Sequence, residues 1–244
     1  MADDLTLPRD EAPAATGKPA FDWWAEAKGL FFLLLAVLGF HSFIAKPFYI
    51  PSESMLPGLM VGDEPVHGSR AILAKLEELA PEPPLFPAPI ADAVREAERW
   101  GDEELQDLGR RLPWGALHFR PEAMGTLGGG GPLDPAGTDF AIKFVRAGWK
   151  YHQITAARLA EDLAGLPAKL DHVDALIADG IMGGAQPNAA DLQIAATLRV
   201  LLLVGDLAPL FASRACADVA LRLFPDVPGR IPAGAYPAGW VPSR

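Results

Sequence analysis

The sequence predicts a mainly α-helical chain, with one N-terminal membrane-spanning helix followed by a helical bundle. Three observations carry this. Gly29 to Ala45 runs seventeen residues without a formal charge between Lys28 and Lys46. From Ser69 onward, apolar residues recur at three- and four-residue steps, the period of a helix face. Beyond Asp63 almost no stretch alternates apolar and polar residues at period two, so little of the chain suits a sheet.

Composition narrows the rest. With 244 residues, half of them apolar, the chain can bury a sizeable core. A net charge of −10 with no basic stripe excludes a nucleic-acid surface, which needs clustered Lys and Arg to replace counterions. The single cysteine, Cys216, excludes an internal disulfide framework and a Cys-rich zinc site, and its Ala-rich helical context reads as buried packing. No metal site is expected.

Residues 1–20 mix charge with Pro, Ala and Gly and carry no apolar period, so they read as a disordered tail. Residues 21–50 form the anchor. As a helix, the apolar run reaches roughly 25 Å at ~1.5 Å per residue, slightly short of a ~30 Å hydrocarbon core, and flanking lysines can snorkel across the difference. Trp23 and Trp24 before it, and Phe48 and Tyr49 after it, stand where an interfacial aromatic belt belongs. Pro47 stops the helix. A cleaved signal peptide is the rival, but Phe43 stands where cleavage wants a small residue. Arg9, Lys18 and Lys28 lean toward a cytoplasmic N-terminus.

Beyond the anchor comes Pro51-Ser52-Glu53-Ser54-Met55-Leu56-Pro57, with Gly62-Asp63 behind it. An anchor, aromatic residues, a P-S-x-S-M motif and a following G-D resemble the bacterial type I signal peptidases, serine endopeptidases of the Ser–Lys type. The resemblance covers about residues 20–63. It implies Ser54 as the catalytic nucleophile, Ser52 beside the oxyanion site, signal-peptide substrates and no cofactor. It also implies a single pass through the bacterial inner membrane. The family takes its base, a desolvated neutral lysine, from a later strand. No matching Y-x-K-R and G-x-P-G-D pattern follows here; Lys143 is the nearest approach, in helical surroundings.

The rest reads as helices. Ser69 is expected to cap a helix through Leu79, with Ile72, Leu73, Leu76 and Leu79 on one apolar face. Residues 80–89 form a proline-rich linker, and 90–112 a long helix that Pro113 interrupts, its charge run reading as a solvated face. The glycine-rich stretch 125–137 lacks the Gly-Lys-Ser/Thr of a phosphate loop and reads as a helix connection. Residues 138–164 form another helix, with Phe140, Phe144, Trp149 and Tyr151 expected in the core, and 169–179 a shorter one ending at Gly180. Asn188 with Asp191 makes an N-terminal capping box for a nearly all-apolar helix to Val204, which is expected to be central and buried. Residues 212–224 add a last helix, and the Pro/Gly-rich tail is expected to wrap the surface.

A bundle whose buried penultimate helix opens on a capping box resembles the C-terminal domain of the cytosolic glutathione transferases, with Asn188 in place of the usual hydroxyl. The likeness extends upstream, because Pro57 to Leu79 resembles the closing strand–strand–helix piece of that family's thioredoxin-like domain. The predicted architecture is therefore an anchor, a serine segment (51–63), a partial ββα remnant (57–79) and a transferase-like helical domain (80–244). The resemblance implies glutathione as ligand. Ser69 and its N–H would hold the γ-glutamyl carboxylate, and Pro57 would be the cis-proline whose predecessor, Leu56, bonds the cysteinyl part. It also implies a homodimer through the helical domain. Gly68 stands where an acidic residue is common, and the first βαβ unit with its thiol-activating residue is missing.

The two patterns cross between Pro57 and Asp63, and neither site is complete. The expected function is a membrane-anchored chimeric chain with weak or no peptidase activity. The alternative is a glutathione-binding, transferase-like module.

Overall fold

The computed structural model describes residues 58–61, 64–227 and 229–243, all within one structural unit, and the protein is mainly α-helical over them. The tail (1–20), the anchor (21–50) and the serine segment up to Pro57 lie outside the described residues. Among the described residues no helix is long and apolar enough to cross a membrane.

Strand β1 (Gly58–Val61) pairs antiparallel with β2 (Glu64–His67), Leu59 opposite Val66 and Met60 opposite Pro65. Pro65 has no N–H to give, which a two-stranded ribbon tolerates because both strands are edges. The ribbon leads through Gly68, at φ 88°, into α1 (Ser69–Leu79), which packs on β2. Here the helix start differs from the expectation. Gly68 occupies the cap position, Ser69 is already helical, and no side chain caps the first turn. A capping hydroxyl needs extended backbone angles, whereas the positive φ at Gly68 makes the turn one residue earlier. The expected apolar face of α1 is covered only in part. Leu73 is buried, while Leu76 and Leu79 are exposed. The Glu77 carboxylate accepts from the Leu85 N–H at 2.6 Å, fastening α1 to the linker.

Helix α2 (Ala91–Trp100), one wide π-type turn (Gly101–Leu105) and α3 (Gln106–Phe119) make a continuous rod. Pro113 does not end it. Proline removes one i→i−4 bond and crowds the preceding turn, yet Leu112, Ala116 and Leu117 are buried on either side and hold the turns together. Neighbours also supply donors to carbonyls there: the Tyr236 hydroxyl donates to the Leu112 carbonyl, and the Trp149 indole N–H to that of Trp114. A 3₁₀ turn (Pro121–Gly128) and the glycine-rich connection lead to α4 (Pro135–Tyr151), capped by the Asp134 carboxylate on the Gly137 N–H.

The sequence predicted helices over 138–164 and 169–179. Instead the chain breaks at His152–Thr155, where Gln153 takes φ 52° and Thr155 caps α5 (Ala156–Ala178) through the Arg158 N–H. Helix α5 then runs straight through Pro167, because Leu163, Leu166 and Leu170 are wholly buried around it. It ends as expected at Gly180, φ 71°. The Ile181 N–H bonds the Leu176 carbonyl and the Gly180 N–H that of Ile177, a Schellman closure that needs the left-handed residue.

Helix α6 (Ala189–Leu201) is the central element, as predicted, with α2, α3 and α8 (Ala215–Leu223) packed around it. Its contact with the rod is too close for a larger residue at two positions. A Cβ on Gly101 would lie 2.7 Å from Ile194 Cγ1, and one on Gly109 2.7 Å from Thr197 Cγ2. A 3₁₀ turn (Gly205–Leu207) and α7 (Ala208–Phe211) precede α8. The C-terminal tail does more than wrap the surface. Ile231 bridges Val204, the Asp206 carboxylate accepts from the Gly234 and Ala235 N–H groups, and Ile231, Ala235 and Tyr236 are buried.

Two further expectations fail. Phe140, Phe144 and Tyr151 stand outward on α4, 52, 38 and 65 % exposed, rather than in the core. The charge run of the rod is not wholly solvated, since Glu98 and Arg111 are buried.

Candidate functional site

Of the residues singled out in the sequence, Ser52, Ser54, Leu56 and Pro57 lie outside the described residues. Ser69 stands at the first turn of α1, directly after β2, partly exposed. The first intrahelical bond runs from the Ile72 N–H to the Gly68 carbonyl, so the amides of Ser69, Arg70 and Ala71 precede the ladder and point outward at the positive helix end. Arg70 adds a cation there, 3.8 Å from Glu103 at the wide turn of the rod.

The most developed polar feature is a cleft of about 400 Å³ between α3 and α5, with Asp107, Arg111, Arg158, Glu161, Asp162 and Lys169 among its lining residues. Its floor is the Arg111–Asp162 pair. Arg111 Nε lies 2.6 Å from Asp162 Oδ2 and Nη2 2.8 Å from Oδ1, a bidentate fork, with Nη1 2.7 Å from Asp107. Asp162, then Asp107, holds the guanidinium proton more tightly than usual despite burial. Lys169 closes the rim on Glu104 at 2.9 Å. A smaller recess alongside, about 190 Å³, includes Arg110, Tyr151, His152 and Gln153. Burial, and then Arg110, depress the His152 proton affinity. With the floor charges answered by one another, this cleft ties α3 to α5. It does not present an activated group.

Potential nucleophiles elsewhere are muted. Cys216 is buried, and burial followed by the Asp174 carboxylate pushes its thiol up to about 12, as a packing cysteine requires. Burial also raises the Tyr236 phenol. Lys143, the sequence's nearest approach to a lysine base, stands exposed on α4. Among the described residues no group of His, Cys, Asp and Glu is arranged to hold a metal ion.

Where α2 meets α6, two buried polar atoms have no partner, Glu98 Oε1 and Gln193 Nε2. Burial raises the Glu98 carboxyl above its ordinary 4.5 and outweighs the opposing pull of Arg70 and Arg95. The folded state therefore holds this proton more tightly than the unfolded chain. Below about pH 4.5 both states are protonated and nothing is lost; as pH rises through the folded value the full cost of the buried charge develops. The expected result is that Glu98→Gln is more stable than the parent at pH 7 and that the difference shrinks toward pH 4, as read by urea denaturation at both pH values.

The capping box belongs to the same end of α6. The Asn188 Oδ1 accepts from the Asp191 N–H at 3.1 Å, and Asp191 Oδ2 accepts from the Asn188 N–H at 3.0 Å. Asp191 Oδ1 also accepts from the Gly183 N–H at 2.7 Å, and Asn188 Nδ2 donates to the Ile181 carbonyl at 2.7 Å. The box thus caps the helix and fastens the preceding loop. Sequence reading missed the Arg111–Asp162 fork. The only signal was that Arg111 falls three residues after Leu108, on the apolar side of the rod.

Comparison with known protein families, curated proteins and solved structures finds no match to this chain. The described residues define a mainly α-helical bundle with a two-stranded lead-in.

Proposed function

We propose that the chain is a membrane-tethered, glutathione-transferase-like helical module in which neither partial site completes a catalytic centre. The observation that carries this reading is the Asn188–Asp191 box opening a helix buried at the middle of the bundle. The order β1–β2–α1 ahead of that bundle supports it. The tether is the apolar run 29–45, which places the module at the bacterial inner membrane as a single-pass protein. Ser54 and Ser52 follow the tether in sequence without the family's lysine motif behind them, so peptide-bond cleavage is weak or absent.

The test is a cleavage assay on a signal-peptide substrate with the full chain and its Ser54→Ala variant. Equal rates are expected; cleavage that the substitution abolishes overturns the reading in favour of a serine peptidase. Glutathione binding is the second reading, favoured by Ser69 and the outward amides of the first turn of α1. Retention on immobilised glutathione that Ser69→Ala removes would establish it in place of the first.

A further inference from the structure

We infer that the recess where α4 ends against α3 and the start of α5 is a binding site for a small tetrahedral dianion, either inorganic phosphate or the phosphate of a small monoester. Two exposed arginines line it from different helices, Arg110 on α3 and Arg158 on α5, and Arg111 lies in its wall. The break between α4 and α5 adds His152 and Gln153, since Gln153 at φ 52° turns the chain from one helix into the next within four residues. At about 190 Å³ the recess is smaller than the sites of drug-sized ligands, which run from about 300 to 1,000 Å³, so it suits one compact group.

Charge selects that group. Among the described residues Asp107 is the one carboxylate in the lining. Its Oδ2 is taken by Arg111 Nη1 at 2.7 Å, and its Oδ1 lies 3.6 Å from Arg110 Nη1, longer than the about 2.7–2.9 Å of a direct charge-assisted hydrogen bond. Arg111 is held by Asp162 as well, so it adds field from the wall rather than a free fork. Arg158 forms no ion pair among the described residues, and Glu161, one turn further along α5, lines only the larger cleft. Neither ring nitrogen of His152 has a hydrogen-bond partner among the described residues. The end of α4 and the start of α5 meet here with dipoles of opposite sign, so the side chains set the field. Three guanidiniums against Asp107, with Asp162 spent on Arg111, leave positive charge for a further anion. Arg110 and Arg158 come from two helices, which suits an acceptor with oxygens on several sides better than a planar carboxylate.

His152 reports the ligand. Burial and then Arg110 depress its proton affinity, Arg111 acts in the same direction, and Asp107 acts against them. A dianion beside the guanidiniums cancels their push and raises the proton affinity of His152. By reciprocity the same dianion binds more tightly once His152 is protonated. The recess shares no residue with the serine segment or the first turn of α1, so it stands apart from both partial sites.

The experiment follows the imidazole signals of the full chain, isotope-labelled at histidine, in non-ionic detergent micelles by nuclear magnetic resonance, with His152 identified by its loss in His152→Gln. At about pH 7.5 and constant ionic strength, inorganic phosphate and glycerol 3-phosphate are each expected to displace the His152 signal saturably, while acetate does not. Tighter binding of the monoester assigns the site to a phosphorylated small molecule, and equal binding assigns it to free phosphate; both uphold the inference. With sulfate, whose charge is constant between about pH 5 and pH 8, the His152 titration midpoint is expected to rise by about one pH unit. Arg110→Gln and Arg158→Gln should each weaken phosphate binding about tenfold. Both side chains are exposed, and the Thr155 cap uses the Arg158 backbone N–H, so neither change touches the core. Unmoved His118 and His172 signals show that the variants stay folded. The inference is overturned if phosphate gives no saturable displacement, if acetate displaces the signal equally, if His118 and His172 move along with His152, or if both arginine variants bind phosphate as the parent does.

Discussion

Arg111→Ala is expected to destabilise the bundle by about 3–5 kcal/mol, because it strands a buried carboxylate. Asp162 is only 9 % exposed, and both of its oxygens are bonded to the guanidinium fork. Removing the fork leaves a charge that must be protonated or reached by water, and also releases Asp107 from its 2.7 Å contact. The contribution of the pair itself is much smaller, since two charges withdrawn from water gain little more from each other than they lost. Arg111→Met with Asp162→Leu should therefore lie near the parent or above it by about 1–4 kcal/mol. Chemical denaturation of the three proteins, followed by far-ultraviolet circular dichroism, separates the two effects. A double variant as damaged as the single one would show that the fork is needed for packing geometry rather than for charge balance.

Asp191→Ala is expected to lower stability by about 2–4 kcal/mol, because it removes a carboxylate from the positive end of the helix and leaves two N–H groups, one buried and one partly buried, without an acceptor. Those groups belong to Asn188 and Gly183, and Asp191 is 1 % exposed, so water cannot replace it without opening the loop. Asn188→Ser provides the graded comparison. A serine oxygen can still accept from the Asp191 N–H, but it cannot reproduce the Nδ2 bond to the Ile181 carbonyl at 2.7 Å. A loss of about 0.5–1.5 kcal/mol is expected, that of one hydrogen bond. Thermal unfolding of both variants checks the ranking. If Asn188→Ser equals Asp191→Ala, the loop bond to Ile181 rather than the cap dominates.

Much of the bundle was legible because its signals are local. The capping box lies within four residues, the Gly180 closure within six, and the apolar run of α6 needs no partner to be read as buried. The strand pair was reached by the resemblance of Pro57 to Leu79 to a closing strand–strand–helix piece, not by an alternating pattern of its own. The candidate glutathione contact at Ser69 could be placed at a helix start, although the cap itself moved to Gly68 because the preceding turn takes a positive φ.

What went unread depends on residues far apart in sequence. Pro113 and Pro167 look like helix stops, since a proline removes an intrahelical bond wherever it stands. Their helices continue because Leu112, Leu163 and Leu166 bury against other elements, and because Tyr236 reaches Leu112 from the C-terminal tail. Arg111 and Asp162 are fifty-one residues apart, so each alone reads as part of a solvated charge run. Glu98 has the same history, four residues after Val94 on the inward face of α2. Phe140, Phe144 and Tyr151 read as core by composition, but α4 buries its Ala141 and Val145 side in the bundle and these three rings lie outside that core.

The sequence by itself determined the helical class and the central buried helix, because capping and apolar period act within one or two turns of backbone. Only the tertiary structure decided which prolines are tolerated, which charges are buried and which aromatic side chains lie outside the core. Those outcomes depend on what another segment places opposite, and no local period encodes that.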